Sequence, residues 1–232
     1  MVYSVTIELM ENNMDLEKLR NWDATLVSSI EGNINFIESI LPTIKNKTFL
    51  DIGANTGLVT DSISKKFPDW IFYTFEPVKE LYDYCVYKFK NNPNIKNFNI
   101  GFSDTEKKAT ISKHSNNLGF NTISGMGFTY GDQEEIELST LDNFIKKHSI
   151  ENIGFMKVDV ECAEPFVIKG GESYFKNTKE LPIILMEIGN NIHSYPETWK
   201  KEIEMFEFLF DIGYQRFEYL DKINTYEALF RP

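Results

Sequence analysis

"TFLDIGANTGLVT", Thr48 to Thr60, passes from a short apolar run through a turn holding two glycines into a segment with helical spacing. A strand followed by D-x-G-x-x-x-G and a helix puts Gly53 where the chain turns sharply. It puts Gly57 where the helix must approach the sheet. In open α/β sheets such a turn sits at the carboxyl end of a strand, where ligands bind. A P-loop would need a lysine after the last glycine to reach phosphates, and none follows Gly57. A dinucleotide fingerprint would carry glycine two positions after Gly53, where this chain has Asn55, and Asp51 would set a negative charge beside a diphosphate. Both features favour a nucleoside ligand without phosphate and with positive charge, which describes S-adenosylmethionine.

Working outward, the chain alternates. Strand-like runs at Thr48–Ile52, Trp70–Phe75 and Ile95–Ile100 are separated by helical patterns at Gly57–Phe67 and Val78–Lys90. The rhythm resumes with "LDNFIKKH", "IGFMKVDV", a helix over Ala163–Phe175, "LPIILMEIG" and a helix over Thr198–Phe210. Two last runs, "YQRFEYL" and "TYEALFR", are close enough for an antiparallel hairpin. The expected fold is α/β: a seven-stranded, mostly parallel sheet with helices on both faces and a C-terminal hairpin. Apolar residues at helical spacing between Met14 and Leu41 predict one or two helices before Pro42, so residues 1–47 read as a helical cap on a domain spanning 48–232. Between the strand-like runs "KKATISK" and "EEIELST", the glycine-punctuated segment over 113–134 reads as a substrate loop or lid.

Composition narrows the partners. The 232 residues carry 24 basic and 35 acidic side chains, a net charge of −11, with no run of Lys/Arg interleaved with aromatics. Nucleic acid and membrane surfaces are therefore disfavoured. Cys85 and Cys162 are the two cysteines, and no basic segment leading into an apolar core opens the chain; the expected compartment is the cytoplasm. Oligomeric state is left open, a dimer included.

The second strand-like run ends in Glu76, near the spacing at which a carboxylate reaches ribose hydroxyls, and its two oxygens can accept from both. The third leads to Ser103 and Asp104, and Asp104 could accept from an adenine amino group. Acids at the ends of the fourth and fifth runs, Asp159, Glu161 and Glu187, with His193 just beyond, are candidates for removing an acceptor proton. Asp159 and Glu187 are also candidate oxygen ligands for Mg²⁺. Plainer roles compete: Asp159 touching the cofactor's methionine end, and Glu161 and Glu164 favouring the dipole of the following helix. His114 begins the glycine-rich segment and could face an acceptor, while His148 reads as a charge partner for a helix end. Phe120, Phe128 and Tyr130 could stack on a sugar ring or pack the loop down.

Taken together, "FLDIGANTGLVT", "FEPVKELYDYC", "IGFSD", "IELSTLDNF", "FMKVDVECAEPFVIKGGE" and "ILMEI" resemble the successive motifs of the FkbM family of S-adenosylmethionine-dependent methyltransferases. The resemblance implies a class I methyltransferase (Rossmann-like) fold and O-methylation of a hydroxyl on a sugar, polysaccharide or small metabolite. It carries the family's cofactor positions onto Asp51, Gly53, Asn55, Gly57, Glu76, Ser103 and Asp104. Ala54, Thr56 and Pro77 beside them, with Asp159, complete the expected cofactor set. One position departs: where the family reads D-[VI]-E-G-A-E this chain has "DVECAE", with Cys162 in the glycine's place. If that glycine serves a positive φ, cysteine is strained there, and a non-catalytic cofactor-binding or partner subunit becomes the alternative. A nucleic-acid methyltransferase would want a [DNS]-P-P-[YFW]-like tetrapeptide or a basic surface, and the chain has neither. A dehydrogenase is more distant still, because the dinucleotide glycine pattern is incomplete.

Overall fold

The computed structural model describes residues 14–114, 117–123, 131–188, 196–222 and 225–232. Its first element, α1 (Leu16–Ile40), is one helix, opened by Asp15, whose carboxylate accepts from Lys18 N at 2.9 Å, and closed just before Pro42. Strand β1 (Thr48–Ile52) follows, then α2 (Leu58–Lys66), β2 (Ile71–Phe75), α3 (Lys79–Phe89) and β3 (Ile95–Phe98). The run predicted as a strand to Ile100 ends at Phe98, and just beyond it Gly101–Phe102 (β4) pairs in parallel with β7 outside the main sheet. Strands β5 (Lys107–Lys113), β6 (Thr122–Ile123) and β7 (Asp132–Ser139) join β4 in a four-stranded sheet of order β4-β7-β5-β6.

Helix α4 (Leu141–His148) leads to β8 (Ile153–Val158). The helix expected over Ala163–Phe175 forms as two, α5 (Glu164–Gly170) and α6 (Glu172–Asn177). The break has a clear cause: Gly171 N donates to Ile168 O, tightening the end of α5, and the Asp142 carboxylate on α4 accepts from Ser173 N at 3.0 Å and Tyr174 N at 2.7 Å, restarting the chain at a new angle. Strand β9 (Ile183–Ile188), α7 (Pro196–Asp211) and the antiparallel hairpin β10 (Arg216–Lys222) and β11 (Thr225–Arg231) complete the order.

The main sheet runs β10-β11-β9-β8-β1-β2-β3, parallel except where β11 lies between β9 and β10. From β1 the chain moves outward through β2 and β3, then returns to β8 on the other side. The order therefore reverses between β1 and β8, and a crevice opens at their carboxyl ends. Alternation along β1 divides the core: Phe49 faces a cluster with Phe72, Phe155, Ile37, Ile63 and Phe89, under α1, α2 and α3. Leu50 and Ile52 face the other, with Phe75 of β2 and with Phe144, Ile168 and Leu209 from the helices α4, α5 and α7. Each fully buried side chain of this size contributes roughly 1.5–3 kcal/mol. No helix among the described residues is long and apolar enough to cross a membrane.

Candidate active site

The turn after β1 is built by backbone geometry. Gly53 has φ +78°, and a Cβ there would collide with the Asp159 carbonyl oxygen on the neighbouring strand end. Gly57 has φ +73°, and a Cβ would come within 2.7 Å of the Phe89 ring on α3, so its constraint comes from a helix rather than the sheet. Gly53 N and Ala54 N both donate to Phe75 O at 3.0 Å, bolting the turn to β2. Glu76, just past β2, accepts from Asn55 N at 2.8 Å and Val78 N at 2.9 Å. Burial outweighs those two bonds and pushes its pKa up to about 7.

Lys157, near the carboxyl end of the apolar strand β8, is almost fully buried. Its ammonium lies 3.1 Å from Asp159 Oδ2 and 3.6 Å from Asp51 Oδ1, and donates to Gly53 O at 3.2 Å. Asp51 is wholly buried and accepts from Thr60 Oγ1 at 2.7 Å; burial raises its pKa against the opposing effect of Lys157. Asp159, Glu161 and Glu187 each bring a carboxylate oxygen within 4.8 Å of the others. Burial, then the Asp159 and Glu164 charges, push Glu161 up to about 9, and Glu187 is raised well above the ordinary carboxylate range by burial and Asp159. Glu164, at the start of α5, accepts from Val160 N at 2.9 Å and is pushed up to about 8 by burial. Glu161 and Cys162 have φ +52° and +79° in succession, so the backbone at the "DVECAE" turn is left-handed where the chain carries cysteine.

Glu76, Lys157 and the three clustered carboxylates line one cavity of about 390 Å³ at the crevice. Of the residues expected from sequence, Gly53, Ala54, Asn55, Thr56, Glu76, Pro77, Asp159, Glu161 and Glu187 stand on its wall. Asp51 does not: it points beneath α2 and acts through Lys157. Gly57 shapes the helix start behind the wall. Ser103 and Asp104 are also off the wall, with Ser103 donating to Asp104 at 3.1 Å and Asp104 turned outward, 3.8 Å from Lys107. The residues at that edge of the cavity are instead Ile100, Gly101 and Phe102. His114 is not on the wall, and His148 stacks on Phe144 at 4.1 Å away from it, with a pKa lowered by desolvation and by Lys147 and Lys96. His193, Phe128 and Tyr130 lie outside the described residues.

Sequence reasoning passed over Lys157, although a lysine inside "IGFMKVDV" is itself a signal, since a charge in so apolar a strand needs partners. Helix α1, from the segment expected to cap the domain and to help build the pocket, contributes Trp22, Leu26, Ile30 and Asn33 to the wall. Leu118 and Phe120 close another side, from the segment expected to form the substrate loop.

A family model described as "Methyltransferase FkbM domain" matches residues 51–216. Comparison with curated proteins gives no match. Among solved structures, a SAM-dependent methyltransferase from Aquifex aeolicus is 13% identical, with a TM-score of 0.51, over 94% of this chain and 98% of that one. A Staphylococcus aureus protein provisionally named a caffeoyl-CoA O-methyltransferase is 12% identical, TM-score 0.52, over 99% of both chains. A Clostridium thermocellum protein provisionally named an rRNA-methylase is 10% identical, TM-score 0.51, over 87% of this chain and 94% of that one. At such identities the likeness establishes the class I methyltransferase fold, and the diversity of acceptors in those names shows that the fold does not choose among them. With the family model matching most of its length, the chain belongs to the FkbM methyltransferase family.

Proposed function

We propose that the protein is an S-adenosylmethionine-dependent O-methyltransferase acting on a hydroxyl of a sugar or other small molecule. The observation that carries this reading is the cavity itself: a glycine turn lined by carboxylates, without a phosphate-binding lysine, opens onto a cluster of acids at the sheet's switch point. The residues present fit the cofactor. Thr56 Oγ1 is buried on this wall with no hydrogen-bond partner among the described residues, and Glu76 has lone pairs beyond the two its backbone donors use. Glu76 would hold the ribose hydroxyls, and Ile100 and Phe102 the base. When bound, the cofactor supplies an electrophilic methyl group.

The chain's own work is positioning and proton management. Alignment of an acceptor oxygen with the methyl group provides much of the acceleration in such a displacement. Asp159, paired with Lys157, is the group we assign to accept the hydroxyl proton. Glu161, with its pKa near 9, holds a proton at neutral pH and would donate a hydrogen bond to the acceptor or to Asp159. The net charge of −11 weighs against a nucleic-acid acceptor.

The same three carboxylates, within 4.8 Å of one another, support a second reading in which Asp159 and Glu187 hold Mg²⁺ and acidify the hydroxyl. The Lys157 ammonium beside Asp159 already supplies positive charge there, which favours the metal-free reading. The test is transfer from methyl-labelled S-adenosylmethionine to a panel of hydroxylated sugars and metabolites, with EDTA or with Mg²⁺. The expected result is label in an ether linkage, retained in EDTA. Cofactor binding without transfer to any acceptor, or label on nitrogen, would contradict it, and loss of transfer in EDTA would favour the metal.

A further inference from the structure

Asn55 joins three parts of the molecule that are distant in sequence. Its backbone, at φ +52°, donates to Glu76 Oε2, and its carbonyl accepts from Cys85 Sγ at 3.2 Å. The side-chain amide is oriented without ambiguity. Oδ1 accepts from Thr56 N at 2.8 Å and from Trp22 Nε1 at 3.3 Å, while Nδ2 donates to Leu118 O at 2.8 Å. One amide therefore ties the turn after β1 to α1 on one side and to the 117–123 segment on the other.

Both tethered pieces are organised locally around that contact. Leu118 O accepts a second bond, from Asn121 Nδ2 at 2.9 Å, and Asn117 Oδ1 accepts from Gly119 N at 3.0 Å. A Cβ at Gly119 would lie 3.7 Å from the Trp22 ring, so the two walls meet directly above the turn. The far end of the segment is held at the acid cluster, where Thr122 Oγ1 donates to Glu161 O at 3.3 Å. Behind them, Leu118 packs with Leu19, Leu81 and Ile136, so α1, α3 and the second sheet share one small core with this wall.

We infer that Asn55 is a positioning residue for the acceptor: its amide sets α1 and the 117–123 segment against the cofactor turn, so that occupancy of the turn and order of the two acceptor-facing walls are linked. This rests on the reading above that the cavity takes S-adenosylmethionine. The alternative is that Asn55 serves its own turn only, through Thr56 N and the left-handed backbone that asparagine tolerates.

Hydrogen–deuterium exchange on the full chain, with and without saturating S-adenosylhomocysteine, separates these. Asn55→Gly keeps the left-handed backbone and removes both tethers; Asn55→Asp keeps the acceptor for Trp22 and loses the donor to Leu118; Trp22→Phe does the converse. Expected is exchange about fivefold faster at both α1 and Gly119–Phe120 in Asn55→Gly, the factor one ordinary hydrogen bond supplies. Asn55→Asp should loosen only the 117–123 segment, and Trp22→Phe only α1. In the unmodified protein the ligand should slow exchange in both walls, and in Asn55→Gly it should no longer do so. The inference is overturned if Asn55→Gly changes exchange only at residues 54–58, or if the ligand still slows both walls in that variant. Should Asn55→Gly fail to fold, the opposite patterns of Asn55→Asp and Trp22→Phe decide alone. Failure of the unmodified protein to bind the ligand would sink the cofactor reading, and the positioning role would then stand or fall on the variant pattern.

Discussion

Lys157 Nζ stands 3.1 Å from Asp159 Oδ2, inside a strand whose other side chains are apolar. The same ammonium faces the wholly buried Asp51 at 3.6 Å, so it links the strand end that begins the glycine turn to the strand end that carries the acids. A buried charge that loses its only countercharge is costly, whereas removing both members of a pair is mild.

Lys157→Met should therefore destabilise the protein by about 3–5 kcal/mol. Adding Asp51→Asn, which leaves Thr60 a hydrogen-bonding partner, should recover most of that loss. Denaturant unfolding of the two variants checks this, and a double variant no more stable than the single one would contradict it.

Gly53→Ala should abolish cofactor binding. The position has φ +78° and its Cβ would collide with the Asp159 carbonyl, so relief requires the β1 and β8 ends to part. Ala54→Gly, one residue on, adds no such clash and should retain binding; equilibrium dialysis with S-adenosylmethionine distinguishes them.

Cys162→Gly should stabilise the fold by about 1 kcal/mol, since a left-handed backbone strains a residue with a Cβ and glycine adopts it freely. Thermal melting measures this directly. A lower melting temperature would mean that contacts of the Cys162 side chain outweigh the strain.

Stability of the unliganded protein should fall as pH rises. Glu76, Glu164 and Glu161 have folded pKa values near 7, 8 and 9, above an ordinary value of 4.5. Over that interval the folded state binds more protons than the unfolded one, so the stabilisation is complete below the unfolded pKa and is lost as each folded pKa is passed. Melting temperature should decline from about pH 5 to 9, and Glu161→Gln should flatten the upper part of the decline. A flat profile in both proteins would contradict the assignment.

Much of the fold was legible because each element announces itself locally. "TFLDI" is a strand by residue type, Gly53 and Gly57 mark the turn, and "LDNFIKKH" carries the helical period. The break between α5 and α6 was not legible, because Asp142 on another helix causes it. Likewise the diversion of Gly101–Phe102 into a second sheet depends on β7, far along the chain. In the site, residues whose role follows from their own backbone or strand end, such as Gly53, Glu76 and Asp159, could be read in order. Trp22 and Leu118 could not, since nothing local to them says that they meet at Asn55. Asp51 and Asp104 were placed by their strand ends and by the family's motifs, and neither reveals which way a side chain turns.

The most direct measurement is calorimetric titration of the purified protein with S-adenosylmethionine and, separately, NAD⁺. The account predicts saturable binding of S-adenosylmethionine at one site per chain, no heat with NAD⁺, and loss of the signal in Gly53→Ala. Binding of NAD⁺ alone, or of neither, would contradict the ligand assigned to the turn.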